Sequence, residues 1–499
     1  MKLKTLTFIL IVFLQSNFLS AQTKNEINNY FEDLHLINQF NGNYIIANNK
    51  KIIAEKSLGF SDLDKKKELK KNTLFTIASI SKTFTATAIL QLKQKGKLNL
   101  DDTVQKYLPN FPYSNVTVKH LLNHTSGLTD FYNLFDSLMV HYPEKLITNS
   151  DIIPILIENK TPLSSLPGER WEYNNVNYCI LALIIEKISG QSFSEYIKQN
   201  IFKPAKMKNS IVPNNRNIKQ KNQVEQYTYP NLYSTTLQNV KNIPEKFKIL
   251  ERSNFYGNGG IVSTTLDLYK YDQALYNGAL LGKKELEEAF TPTRLNDGKI
   301  ATFNFDDKEI AYGLGWAIYT DEKNGKTVFH DGFNTGLSSI LVRNISKKQS
   351  VIILENTGSN VVFPASNAIL NILNQQTYQP TTQNFARLYG SILVNNGIAQ
   401  ADKLLMKYFN NTEKYNVTER EMNSLGYQLL RNKKIPEALV IFNTTTKIYP
   451  NSGNAFDSYG EALLLNNQKE EAIKMYQRSV ELNPNNENGK KILQQILNK

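Results

Sequence analysis

Residues 75–84 read Phe75-Thr76-Ile77-Ala78-Ser79-Ile80-Ser81-Lys82-Thr83-Phe84, and the fold turns on how this stretch is understood. A short apolar run ends in Ile77-Ala78, and a largely apolar helical segment follows Ser79 as far as Lys95. Gly96 supplies the stop, because glycine takes the left-handed conformation that closes a helix. Ser79 then sits at or near a helix N-terminus, where free N–H groups and the positive dipole end favour a developing negative charge. Lys82 lies one turn on along the same face. There it is placed to hold down the pKa of a base or to help deprotonate the serine. For an isolated S-x-x-K the ordinary reading is an N-cap serine followed by a solvated lysine. Two features outweigh it here. Ser79 is the only serine with a lysine three residues on, and Ile80, Phe84, Ala86, Ala88, Ile89, Leu90 and Leu92 cover nearly every face of the helix. Such a helix is a buried one, and a lysine at its start is costly unless it serves something.

A nucleophilic serine needs a proton acceptor. Pro167-Gly168-Glu169-Arg170-Trp171-Glu172-Tyr173-Asn174-Asn175 leads from a turn toward an apolar helix at Cys179–Ile188. Tyr173 and Asn175 face one cavity if the backbone between them is extended. A tyrosine beside an ammonium can have its pKa lowered enough to act as a general base. Tyr-x-Asn also occurs at Tyr113, Tyr229, Tyr256 and Tyr408, and a buried structural tyrosine is the competing reading. A third element, Phe329-His330-Asp331-Gly332-Phe333-Asn334, ends a strand. Gly332 at the strand edge would let a substrate backbone approach. The N–H of Phe333 could pair with that of Ser79 as an oxyanion hole. Taken alone, His330 reads as a structural histidine.

Around these elements the 499-residue chain is long enough for two or three domains. Lys2 and Lys4, an apolar run from Leu6 to Leu14, and Ser20-Ala21 follow the order of a secretory signal peptide over residues 1–21. No later run reaches the length of a membrane span, so the expectation is an exported protein, periplasmic or secreted. The net charge of +13 comes mostly from scattered lysines, which do not suggest nucleic acid. The single Cys179 lies in an apolar helical run and reads as a small buried residue. His120 and His124 are four apart, but Leu121 stands where a metalloprotease helix needs glutamate, so both are read as loop-structuring residues. Neither a metal nor a cofactor is expected.

Residues 25–40 read as an amphipathic helix. Tyr44–Ala47 and Lys51–Ala54 form a β-hairpin across Asn48-Asn49-Lys50. Short helices and polar loops fill residues 98–256, and strands return at Tyr312–Tyr319, Thr327–His330, Leu337–Val342 and Ser350–Leu354, with a covering helix at Pro364–Leu373. Strands at both ends around a helical middle predict one α+β sheet completed by both chain ends. A linker over 376–384 then separates the expected catalytic domain, 22–375, from a helical tail, 385–499. In that tail Gly426, Ala438 and Pro450 recur as Gly460, Ala472 and Pro484, at the period of tetratricopeptide repeats.

The order and spacing of Ser79-x-x-Lys82, Tyr173-x-Asn175 and His330-x-Gly332 resemble the penicillin-recognising serine hydrolases. The branch is that of class C beta-lactamases, DD-peptidases, D-amino-acid peptidases and related esterases. His120–Leu128, Gly257–Thr264 and Tyr312–Trp316 also match that branch, and the resemblance covers roughly residues 25–375. It implies a beta-lactamase-like sheet with a helical subdomain, and a two-step acyl transfer. Ser79 would be the nucleophile, with Lys82 and Tyr173 managing its proton. Asn175, His330 and Gly332 would meet the substrate, and the N–H groups of Ser79 and Phe333 the oxyanion. Beta-lactamases of this kind usually carry lysine at the position of His330; histidine goes with peptidases and esterases. The expected substrates are therefore small D-amino-acid-containing peptides or esters, with beta-lactam hydrolysis ranked lower. A contrasting reading makes the catalytic domain a scaffold, with the repeats binding a partner protein.

Overall fold

The computed structural model of the chain describes residues 21–130, 134, 144–216, 218–243, 253–305 and 308–498. The charged and apolar parts of the expected signal peptide, residues 1–20, lie outside them. The chain divides into two units. One runs to Thr228 and resumes over Asn239–Gln379; the other comprises Tyr229–Gln238 and Pro380–Lys499.

The first unit is built on an eight-stranded antiparallel sheet. Its strands are β1 (Gly42–Asn48), β2 (Lys51–Leu58), β3 (Thr302–Phe305), β4 (Lys308–Tyr312), β5 (Ala317–Asp321), β6 (Gly325–Asn334), β7 (Leu337–Asn344) and β8 (Gln349–Glu355). Their order is β3-β4-β5-β6-β7-β8-β1-β2, so the N-terminal hairpin closes onto the last strand, with Gly42 opposite Glu355 and Asn48 opposite Gln349. Asn49 and Lys50 join β1 to β2 with φ of 47° and 65°, the paired positive values of a type I′ turn whose twist suits a hairpin. Strands β7 and β8 are buried throughout, because both faces of the sheet are covered. Alternation assigns their side chains to opposite cores. Ile340, Val342, Val351 and Ile353 pack with Ile27, Phe31, Phe363 and Ile369, which come from the helix over residues 21–36 and from Val362–Leu373. Leu341, Ile352 and Leu354 belong to the core that contains Phe84, Ile89 and Leu92.

The sheet completed by both chain ends is the one expected from the sequence. Its far edge is not. The strand β3 and the first four residues of β4 are not among the expected strands, and Tyr312–Tyr319 divides into β4 and β5, which turn at Gly313-Leu314-Gly315-Trp316. Gly315 has φ of 83°, and a Cβ there would lie 2.6 Å from that of Ala86, so the glycine serves both the turn and its packing on the buried helix. That helix spans Ser81–Gln94 behind a single 3₁₀ turn, Ala78–Ile80. Gly96, at φ 66°, ends it as expected, with its N–H bonded to the Lys93 carbonyl.

The second unit is built mainly of helical hairpins, Phe385–Asn396 with Ile398–Asn410, Glu419–Arg431 with Ile435–Ile448, and Gly453–Leu465 with Lys469–Leu482, closed by Glu487–Leu497, and a short parallel pair joins Gln383–Asn384 to Tyr415–Asn416. A Cβ on Gly426 would sit 2.5 Å from the ring of Phe442, and one on Gly460 would sit 3.0 Å from the ring of Tyr476. Glycine and aromatic recur together, which explains the period of the pattern: each of these two hairpins needs one bare backbone against one large ring. Within this unit the Tyr229–Gln238 segment is held by Arg387, whose guanidinium donates to the carbonyls of Asn231 and Ser234, and by Gln428, which accepts the N–H of Leu232.

Candidate active site

Ser79 lies in the 3₁₀ turn that opens the buried helix, and the turn is held from two sides. The N–H of Ile77 bonds to the Ile261 carbonyl at 2.9 Å, and the Ser339 hydroxyl of β7 donates to the Ile77 carbonyl at 3.0 Å. Ala78 is forced to φ 44°, a conformation that costs a β-carbon residue energy and is tolerated where the surroundings impose it.

Lys82 is fully buried. Its three donor positions are all used: Nζ donates to Ser79 Oγ at 3.1 Å, to Asn175 Oδ1 at 2.8 Å and to the Asn258 carbonyl at 2.8 Å. The ammonium position is also 4.8 Å from the centre of the Tyr173 ring. Burial pulls its pKa down from 10.5 to about 7, against the opposing pull of Cys179, Asp331 and Asp130. A lysine poised there shares its time between base and acid at neutral pH.

Tyr173 and Asn175 both reach this point, from either side of Asn174, whose side chain caps the helix Asn175–Ser189. The apolar helix thus begins four residues before Cys179, and Asn175 is its first residue. The phenol of Tyr173 bonds to Ser79, which acts to lower its pKa, but burial outweighs that and pushes it above the usual tyrosine range. The expected lowering by the neighbouring ammonium is therefore not met; the lysine moves instead. Tyr173 is a neutral hydroxyl at neutral pH, able to hand on a proton but not standing as a phenolate.

Strand β6 runs past the end of β5, whose pairing with it stops at Ala317–Phe329. Its last residues therefore lie beside the serine turn. A Cβ on Gly332 would be 2.4 Å from the Ile77 carbonyl oxygen and 3.0 Å from the Ser79 nitrogen. The backbone that approaches this glycine is the turn that carries Ser79. Gly332→Ala is accordingly expected to slow acylation on the order of 10²-fold, the scale of a misplacement near 1 Å, and to cost about 1–3 kcal/mol of stability. Stopped-flow acylation and thermal melts check both figures. His330 is buried, with Nδ1 against the Asp331 carbonyl at 2.6 Å and Nε2 against the Tyr312 hydroxyl at 3.2 Å. Only a protonated Nδ1 can face a carbonyl, so Nε2 accepts from the tyrosine and the ring is neutral. Burial first, then Lys82, pulls its pKa down to about 3. Phe333, one residue before the strand's end, is more than half exposed.

Cys179 is buried and its thiol is pushed up by burial, so it is inert. His120 caps a short helix through Thr117, as a loop-structuring residue should. Two contributors carry no chemical signature in the sequence. The Asn258 carbonyl is aimed at Lys82 by a backbone in which Gly257 and Gly260 take φ of 90° and 87°; the glycine run is the only hint. His124 is the other.

A serine in contact with a buried lysine and a tyrosine, beside an open strand edge, defines a serine hydrolase working by acyl transfer. The beta-lactamase family profile matches residues 37–375, and the chain belongs to that family. It is 34% identical over 393 residues to penicillin-binding protein 4* of Bacillus subtilis, an alignment covering 75% of this chain and 84% of that protein. Among solved structures it is similar to an octameric penicillin-binding protein homologue from Pyrococcus abyssi (26% identity, TM-score 0.60, 71% and 78% of the two chains). It shares its fold with the D-amino acid amidase of Ochrobactrum anthropi (22% identity, TM-score 0.59, 71% and 99%).

Proposed function

We propose that this is an exported hydrolase whose serine is acylated by D-amino-acid-containing peptides, amides or small esters. Neutral Lys82 takes the Ser79 proton as Oγ attacks the carbonyl carbon. The N–H groups of Ser79 and Phe333 hold the oxyanion, and Asn175 binds the substrate amide. Tyr173 relays the proton to the leaving amine or alcohol. Water then adds to the acyl-enzyme, giving up its proton along the same Tyr173–Lys82 route, and Ser79 Oγ leaves, taking that proton back from Lys82 as the acid is released. Export rests on the leader-like residues 1–21, and no helix among the described residues is long and apolar enough to cross a membrane.

The observation that carries the substrate preference is the neutral, inward-turned His330. Where a drug's carboxylate would need a fixed cation, both ring nitrogens are already engaged, and the carboxylates acting on Lys82 are Asp331 and Asp130. A site of this sign favours an amine over a carboxylate. An unpaired buried carboxylate would cost roughly 10²-fold or more in kcat/KM. Purified protein offered D-amino-acid amides, acyl-D-Ala-D-Ala peptides, short-chain esters and a chromogenic cephalosporin should turn over the amides or esters at least about 10²-fold faster than the cephalosporin. Efficient cephalosporin hydrolysis would reverse the preference.

A second reading concerns the helical unit. A groove of about 500 Å³ there is lined by both signs of charge, Glu419 beside Arg420 and Arg431, with Asn423, Ser424, Tyr427 and Asn454. It suits a polar peptide segment of a partner protein, which the repeats would hold while the hydrolase acts.

A further inference from the structure

The geometry points to His124 as the positioning residue that aligns Tyr173 and Asn175, by serving as a hydrogen-bond acceptor at the peptide between them. This rests on the acyl-transfer reading above. Two contacts bracket Tyr173. The His124 carbonyl accepts the N–H of Glu172 at 2.9 Å, and its ring Nδ1 accepts the N–H of Asn174 at 3.0 Å. Tyr173 lies between these two anchored amides, and Asn175 follows directly. The imidazole ring itself stands 4.6 Å from the Tyr173 ring, 5.2 Å from Tyr178 and 5.0 Å from Tyr312, so it also backs the phenol.

The tautomer is determined by the neighbours. A backbone N–H can only donate, so the Nδ1 that meets Asn174 carries a lone pair. The Asn177 side chain agrees. The Ser126 hydroxyl accepts the Leu128 N–H at 3.2 Å and donates to Asn177 Oδ1 at 2.7 Å. That turns the Asn177 amide nitrogen toward His124 Nδ1, at 3.4 Å. The ring proton is thus on Nε2, which is buried near the tyrosines and has no acceptor among the described residues. A histidine that only filled space would not sit in the orientation that orphans its own donor. This one gives up that bond to present an acceptor to the Tyr173–Asn175 segment. Lys82 and His330 both act against its protonation, on top of burial, and that keeps the acceptor available. Its backbone is left-handed, at φ 60°, which limits the informative substitutions to asparagine and glycine.

The test uses those two in the full-length protein. Asn carries Oδ1 on the same atom, Cγ, that bears Nδ1 in histidine, and tolerates the backbone; Gly keeps the backbone and removes the acceptor. His124→Asn is expected to keep kcat within about fivefold of the wild type. His124→Gly should lose roughly 10²-fold in kcat because the proton carrier is misaligned, with a smaller rise in KM, about threefold to tenfold, through Asn175, which follows the same anchored peptide and meets the substrate amide. Equal losses in the two variants, or wild-type kcat in His124→Gly, would overturn the assignment. If the glycine variant does not fold, nitrogen NMR of the wild-type imidazole decides. The Nε2–H tautomer is expected, and an Nδ1–H tautomer sinks the proposal. Fluorophosphonate labelling of the wild type tests the acyl-transfer reading separately, since it needs the nucleophile and not this alignment.

Discussion

Ser79→Ala is expected to abolish turnover, by about 10⁶-fold on any substrate the protein accepts, and to erase labelling by a fluorophosphonate or a fluorescent penicillin. The size of the loss follows from how the group is built. Lys82 and Tyr173 both spend hydrogen bonds on one hydroxyl, so neither has a reacting partner once it is gone. Adding Lys82→Met to Ser79→Ala should therefore cost almost nothing further, as for residues that act as one unit. The fold should survive. The serine is half-buried in a turn held by Ile261 and Ser339 through their contacts with Ile77, not through the hydroxyl. The thermal midpoint of Ser79→Ala is expected at or above that of the wild type, because sites shaped for chemistry are seldom optimal for stability. Intact-protein mass spectrometry after incubation with the probe measures the labelling directly. An adduct on Ser79→Ala would move the nucleophile elsewhere, and absence of an adduct on the wild type with every acylating probe would favour the scaffold reading.

The features legible in the sequence are those that repeat, alternate or cap. The hairpin at Asn49-Lys50, the strands at both chain ends and the stop at Gly96 are local chemistry, and they stand where expected. So does the recurrence of Gly426 at Gly460. Three features are hidden from such a reading, each for a physical reason. Tyr312–Tyr319 has the composition of one strand, and only the packing of Gly315 against Ala86 shows that the chain must turn there. The pKa of Tyr173 moves the opposite way from the expectation, because a neighbouring lysine is visible in a motif but the depth of burial is not. Gly332 reads as room for substrate, whereas a β-carbon there would meet the Ile77 carbonyl. Contacts made by backbone atoms, such as the Asn258 carbonyl on Lys82, leave no trace in residue type. That is why the site is recognisable by its side chains and incomplete in its backbone.

The second large effect belongs to Lys82. In the proposed mechanism its neutral form is the base, so acylation should rise with pH through an apparent pKa near 7, where burial has placed it. Lys82→Arg keeps a positive charge but cannot release its proton, and should lose roughly 10³–10⁴ in kcat/KM, the range of a positioned acid–base group. The same burial has a consequence for stability, and its sign can be worked out. In the unfolded chain the amine titrates at its ordinary 10.5 and in the folded protein at about 7. Between those values the unfolded state binds more protons, so this group makes stability rise with pH across that window and adds a constant penalty below it. Lys82→Met removes the penalty together with the three hydrogen bonds, and the first outweighs the second. The variant should be inactive yet more stable than the wild type below pH 7, by something on the order of 3 kcal/mol. The advantage should shrink steadily toward pH 10.5. Denaturant melts of the two proteins across that range measure it directly. A Lys82→Met variant no more stable than the wild type at pH 6 would mean that folding does not lower the lysine's pKa, so that the amine stays charged at neutral pH, and the proton route would then have to begin at Tyr173 instead.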